Sequence, residues 1–255
     1  MQASPIVLTT LAGLSTGLGG ALAALAKPSE TMLAASAGFA GGVMLTASLA
    51  NLMPEALEFY SGYLQPLPCG EAIVTLLALG MLTAGLLGRL LPEETELAAK
   101  YGQNTARTKA MRTALITGTA LLLHNFPEGV LTLFAGTADP ALGLRTALAI
   151  ALHNIPEGLA VAVPFAYATN SRAKGALAAL VSGLAEPAGA LVALFLFRSL
   201  FTTGFLTGTM VAGIMIWVAL AQLLPTAFAP AHRLPGILGA AAGCLLMLLG
   251  IAALP

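Results

Sequence analysis

The chain has 255 residues, of which 58% are hydrophobic and only 9% charged, with a mean hydropathy of +0.89. A soluble domain carries about 25% charged residues, so this composition excludes a surface wetted all round and implies an all-α integral membrane protein. The 11 basic residues equal the 11 acidic ones, so there is no global basic field to attract nucleic acid.

A bilayer-crossing helix needs about 20 mostly apolar residues. Eight stretches meet that need, at 5–26, 31–53, 71–92, 112–134, 143–168, 174–198, 203–229 and 234–254. The first follows MQAS, which lacks the basic flank of a cleavable signal peptide, so it is read as a true span. The polar loop 93–111 is mixed in charge and is expected to be cytoplasmic and mobile. Cys69 and Cys244 are too far apart in sequence for a CxxC motif, which leaves no sign of a thiolate zinc site or a disulfide framework.

The Lys and Arg content of the loops sets orientation. With the N-terminus outside, Lys27, Arg89, Lys100, Arg107, Lys109, Arg112, Arg172, Lys174 and Arg233 face the cytoplasm, and only Arg145 and Arg198 face out. Eight spans then place both termini outside, in the cell (inner) membrane.

Two repeats are visible. His-Asn-x-Pro-Glu-Gly occurs in span 4 and again 29 residues later in span 5. In addition, GVMLTASLANLMPEA (42–56) matches GIMIWVALAQLLPTA (213–227) at seven of fifteen positions, aligning Met44 with Met215 and Asn51 with Gln222. A fainter match pairs GLSTGLGG (13–20) with GLAEPAGA (183–190). Spans 1–3 therefore correspond to spans 6–8 in opposite orientation. The layout is 3+2+3, an inverted repeat around spans 4 and 5, as in many secondary transporters.

The polar residues of spans 4 to 6 are costly at that depth. His124 and Glu128 lie four residues apart on one helical face, as do His153 and Glu157. Asn125 and Asn154 sit about 100° round from their histidines. Pro127 and Pro156 leave the carbonyls of Leu123 and Leu152 without their helical donors. Gly129 and Gly158 permit close helix contact. Glu186 lies near the middle of span 6. Unpaired carboxylates in lipid cost several kcal/mol each, and no Lys or Arg lies at their depth. A single buried His or Asn serves as interhelical glue, but two His, two Asn and three Glu in a duplicated pattern point to a bound cation. Imidazole with carboxylate suits Zn²⁺, Fe²⁺ or Mn²⁺ and disfavours Cu⁺. All-oxygen Ca²⁺ or Mg²⁺ sites do not normally use two imidazoles.

These residues make the whole chain resemble the ZIP (Zrt-, Irt-like protein) family, in its GufA-type prokaryotic branch. The carriers are HNFPEG, HNIPEG, SGLAEPAGA and the span ending NLMPEA. The resemblance implies uptake of divalent transition metal into the cytoplasm through a binuclear mid-membrane site. His124, Glu128, His153 and Glu157 would hold one metal. Asn125, Asn154 and Glu186 would complete its neighbour, with Glu128 and Glu157 bridging. Met44 matches a ligand position of the family, although a Met in an apolar helix is more often packing. Many relatives carry a carboxylate where this chain has Gln222, which puts a Glu-dependent exit step in doubt.

Asn51 and Gln222 are expected to line the two half-pathways, and His232 to be a solvated loop residue beside Arg233. No resident cofactor is expected beyond the transported metal. The expected partners are divalent metal ions and the lipid bilayer, and a homodimer is compatible. An intramembrane zinc hydrolase is the alternative, disfavoured because HExxH is missing and no Ser or Tyr is expected at ligand depth.

Overall fold

The computed structural model describes residues 4–101, 105–196 and 203–253. Among these, all regular structure is helical. Helix α1 spans Pro5–Leu25, and α2 (Glu30–Ala47) runs through a π turn at Ser48–Leu52 into α3 (Met53–Ser61). Next come α4 (Pro66–Leu90), α5 (Glu94–Tyr101), α6 (Thr105–Ala138) and α7 (Pro140–Thr169). The sixth predicted span is two helices, α8 (Arg172–Gly183) and α9 (Ala185–Leu196). Helix α10 (Thr203–Val218) passes through a second π turn at Ala219–Leu223 into α11 (Leu224–Ala227), and α12 (Arg233–Ala253) ends the described chain.

Local chemistry sets the boundaries. The side chain of Ser29 accepts the Met32 amide at the start of α2, that of Asp139 accepts the Ala141 amide before Pro140, and that of Ser171 accepts the Lys174 amide. Each satisfies an amide that a helix start leaves without a partner. Helix α7 stops at Asn170, which adopts the left-handed conformation with φ 52°, where asparagine is tolerated better than most residues. Pro187 has no amide to bond the carbonyl of Gly183, and the helix is interrupted at Leu184.

Among the described residues, seven helical stretches are long and apolar enough to cross a membrane. Helix α6, the predicted fourth span, is not among them. It runs for 34 residues, but its middle carries His124, Asn125 and Glu128 and its start carries Arg107, Lys109 and Arg112. The region expected to be a mobile loop is largely helical. Leu97 of α5 is buried with Ala110 and Met111 of α6 and Ala168 of α7, and burying those apolar side chains repays the ordering. Arg198 and the residues around it lie outside the described part.

The helices form two groups. Helices α1, α6, α7, α8 and α9 pack on one another and carry the polar motifs, while α2 packs along α12 and α4 along α10. Both groups depend on backbone-to-backbone approach. A Cβ added at Gly19 of α1 would collide with the carbonyl of Ile155 in α7, and one at Gly42 of α2 with that of Ala240 in α12. Outward faces of α1, α4 and α12 expose leucines such as Leu11, Leu18, Leu82, Leu86, Leu245 and Leu249.

Candidate metal site

The two HNxPEG motifs face each other across the α6–α7 contact. His124 Nε2 lies 3.1 Å from Glu157 Oε1, and His153 Nε2 lies 3.4 Å from Glu128 Oε1. The pairing is crosswise: each imidazole meets the carboxylate of the other motif. His124 and Glu157 are completely buried, whereas Glu128 and His153 keep 6% and 8% exposure. That small difference has a cause: Glu128 and His153 form part of the lining of a cavity of about 520 Å³ and the other pair does not.

The asparagines anchor this cluster to the flanking helices. Asn154 Nδ2 donates to the carbonyl of Ala12 in α1 at 2.9 Å and to Glu186 Oε1 in α9. Asn125 Nδ2 donates to the carbonyl of Ser182 in α8 at 3.4 Å. Gly129 and Gly158 make these approaches feasible, because a Cβ on either would strike the carbonyl of Glu186 or of Thr16. The expected close helix contact at the two glycines is present.

Seven of the eight predicted ligands thus come together: His124, Asn125, Glu128, His153, Asn154, Glu157 and Glu186. They do not yet form a coordination sphere. No three His, Cys, Asp or Glu side chains converge as metal ligands among the described residues, because each imidazole is turned onto a carboxylate. The donor set nevertheless fits a cation. Glu128 Oε2, Glu157 Oε2, Glu186 Oε2, Asn125 Oδ1 and Asn154 Oδ1 are all buried and unpartnered among the described residues. Buried oxygens normally have donors, and five together without one favour a positive ion.

The eighth, Met44, is buried in an apolar cluster with Leu121, Val161 and Met215. Asn51 lies in the first π turn and Gln222 in the second, and π turns recur at functional positions. Asn51 lines the cavity; the lining does not include Gln222. His232 is not free in solvent. Its Nε2 lies 3.3 Å from Glu30 and its Nδ1 3.2 Å from Thr31, while Tyr167 donates to the same Glu30.

Sequence reasoning missed several residues. Glu55 and Glu58 line the cavity, and their i, i+3 spacing after Asn51 was the available signal. Ser182 was missed as well: its carbonyl holds Asn125, so a serine does stand at ligand depth. Its hydroxyl has no hydrogen-bond partner among the described residues, which leaves no Ser–His pair for a hydrolase.

Comparison with known proteins identifies the family. The family described as "ZIP Zinc transporter" matches residues 91–251. A zinc transporter ZupT of Corynebacterium efficiens is 40% identical over 249 residues, covering 94% of this chain and 93% of that protein. One from Chlorobaculum parvum is 40% identical, covering 86% of each, and one from Streptococcus mutans is 36% identical, covering 94% of each. With a family match over more than half its length and relatives aligned nearly end to end, the chain belongs to the ZIP family of metal transporters.

Proposed function

We propose that the chain carries divalent transition metal, Zn²⁺ foremost and Fe²⁺, Mn²⁺ or Cd²⁺ by the same chemistry, into the cytoplasm by alternating access. The observation that carries this reading is the crosswise pair of His–Glu contacts with five unpartnered buried oxygens around them. Metal reaching the cluster turns His153 from Glu128 first, since that pair borders the cavity. His124, Glu128, His153 and Glu157 then hold one ion, with the Met44 thioether at its edge. Asn125, Asn154 and Glu186 complete a second, and Glu128 and Glu157 bridge.

Eight membrane-crossing helices and an inverted repeat fit this role. Helix α6 counts as the eighth because it packs along α7 with its polar middle turned inward. The repeat is supported by contacts that recur when its halves are exchanged. Gly42 against Ala240 recurs as Gly213 against Leu77, Gly243 against Phe39 as Gly80 against Met210, and Gly158 against Thr16 as Gly129 against Glu186. The two π turns, Ser48–Leu52 and Ala219–Leu223, also stand 171 residues apart. Such symmetry lets one helix group rock against another around a fixed site.

The cavity lining includes Glu58, Phe59 and Ala138, and Ala138 ends the same helix as Gly136, against which Pro5 lies. With both termini outside, it is the outer half-pathway, and Asn51 lines it; Gln222 lines the inner one. The exposed leucines suit contact with lipid, and a homodimer is compatible with them. The hydrolase alternative gains nothing: the relatives are described as zinc transporters.

The test is flux. Purified protein in liposomes should admit Zn²⁺ and Cd²⁺ with saturation, and His153→Ala combined with Glu157→Ala should abolish it. Flux equal to that of empty vesicles, or unaffected by the double substitution, refutes the proposal.

A further inference from the structure

Threonines in these helices follow a habit. Thr9, Thr10, Thr83, Thr132 and Thr226 each donate the hydroxyl to the carbonyl four residues back. Thr16 and Thr117 are buried with hydroxyls that have no partner among the described residues. For Thr16 the reason is visible. Its usual acceptor, the carbonyl of Ala12, already receives Asn154 Nδ2 at 2.9 Å and Ser15 Oγ at 2.6 Å. The hydroxyl is released by the very contact that anchors the metal-site asparagine.

Thr16 also has a counterpart. At the offset that aligns residues 13–20 with 183–190, Thr16 aligns with Glu186. Space agrees with the alignment. A Cβ on Gly13 would lie 3.2 Å from the Cβ of Glu186, and a Cβ on Gly183 would lie 2.8 Å from that of Thr16. The carbonyl of Glu186 abuts Gly129 while that of Thr16 abuts Gly158. The two residues therefore stand at matched places on helices that pack against each other. Glu186 spans the distance and meets Asn154. By the same symmetry the counterpart of Asn154 for Thr16 is Asn125, and a threonine oxygen lies two bonds closer to the backbone than a glutamate oxygen, a shortfall that a bridging water can span.

Resting on the metal-site reading above, we propose that Thr16 Oγ1 holds a water ligand of the transported ion opposite Glu186. The second metal position then has a fixed carboxylate on its α9 side and an exchangeable water on its α1 side. Thr16 is a positioning residue: it orients the water and leaves the ion one labile ligand, through which a donor can be exchanged during loading and release. A second carboxylate there would hold the ion more firmly and release it more slowly.

The test uses the full chain purified in detergent, titrated with Zn²⁺ and, separately, Co²⁺. Thr16→Val keeps the shape and removes the hydroxyl; Thr16→Ser keeps the hydroxyl. Thr16→Val should bind Zn²⁺ about tenfold more weakly, the loss of one hydrogen bond to an ion-polarised water. Its Co²⁺ visible spectrum should change because coordination number sets that absorption, and Thr16→Ser should restore both. Wild-type affinity in Thr16→Val, or an unchanged Co²⁺ spectrum, overturns the inference. Glu128→Ala is run in parallel. If it binds metal normally, the metal-site reading itself fails; if it loses metal while Thr16→Val stays normal, only the role of Thr16 fails.

Discussion

The contact between α6 and α9 gives a test that needs no assumption about transport. A Cβ at Gly129 would sit 2.6 Å from the carbonyl carbon and 2.8 Å from the Cα of Glu186, closer still to its oxygen. These are backbone atoms and no rotamer relieves them, so α9 must move away from α6. Overpacking of this kind costs about 1–3 kcal/mol. For a chain of this size that corresponds to a melting temperature lower by roughly 2–12 °C. The displacement carries Glu186 away from Asn154 and from the carboxylates it joins, so metal affinity should fall with stability. Gly70→Ala is the control, because nothing lies within 4 Å of a Cβ there. The assay is thermal unfolding of detergent-purified protein with and without Zn²⁺. If Gly129→Ala melts with the wild type and gains the same metal-dependent stabilisation, the close α6–α9 approach does not hold the site together and the reasoning is wrong.

Glu128→Ala should cut bound Zn²⁺ from two ions to one or none, measured by metal analysis after dialysis, since one carboxylate serves both positions. Glu55→Gln with Glu58→Gln should raise the KM for Zn²⁺ at low ionic strength, and the effect should fade as salt screens the cavity mouth; an effect independent of salt contradicts a steering role. Met44→Leu keeps the packing volume, so stability should change by less than about 1.5 kcal/mol. Affinity for soft Cd²⁺ should nevertheless fall more than that for Mn²⁺, and equal losses would return Met44 to the core alone. On the inner half-pathway proposed above, Gln222→Glu adds a carboxylate and should slow release, seen as a lower maximal flux; faster flux would show that the amide limits exit.

Much of this was legible in the chain itself. Composition alone required a membrane, because a chain so poor in charge cannot cover a wetted surface. The duplicated HNxPEG and the lone Glu186 pointed to the proposed cation site, since carboxylates in apolar helices need a positive partner and no Lys or Arg was there to provide one. Helix starts followed from Ser29, Asp139 and Ser171, whose capping is a local matter.

What sequence could not carry was anything set by contacts between distant helices. It could not tell that the imidazoles pair crosswise, because His124 and Glu128 share a face within one helix as well as His124 and Glu157 do between two. Nor could it tell that Ser182 and Ala12 hold the asparagines, that α5 folds onto α6 and α7, or that the cavity exposes one pair and seals the other. The π turns were equally hidden, since a single inserted residue leaves little mark in a stretch this rich in apolar residues. Periodicity determines which face of a helix is polar. Only packing decides which neighbour that face meets, and here the carbonyl of Ala12 takes the Asn154 amide while the Thr16 hydroxyl has no partner among the described residues.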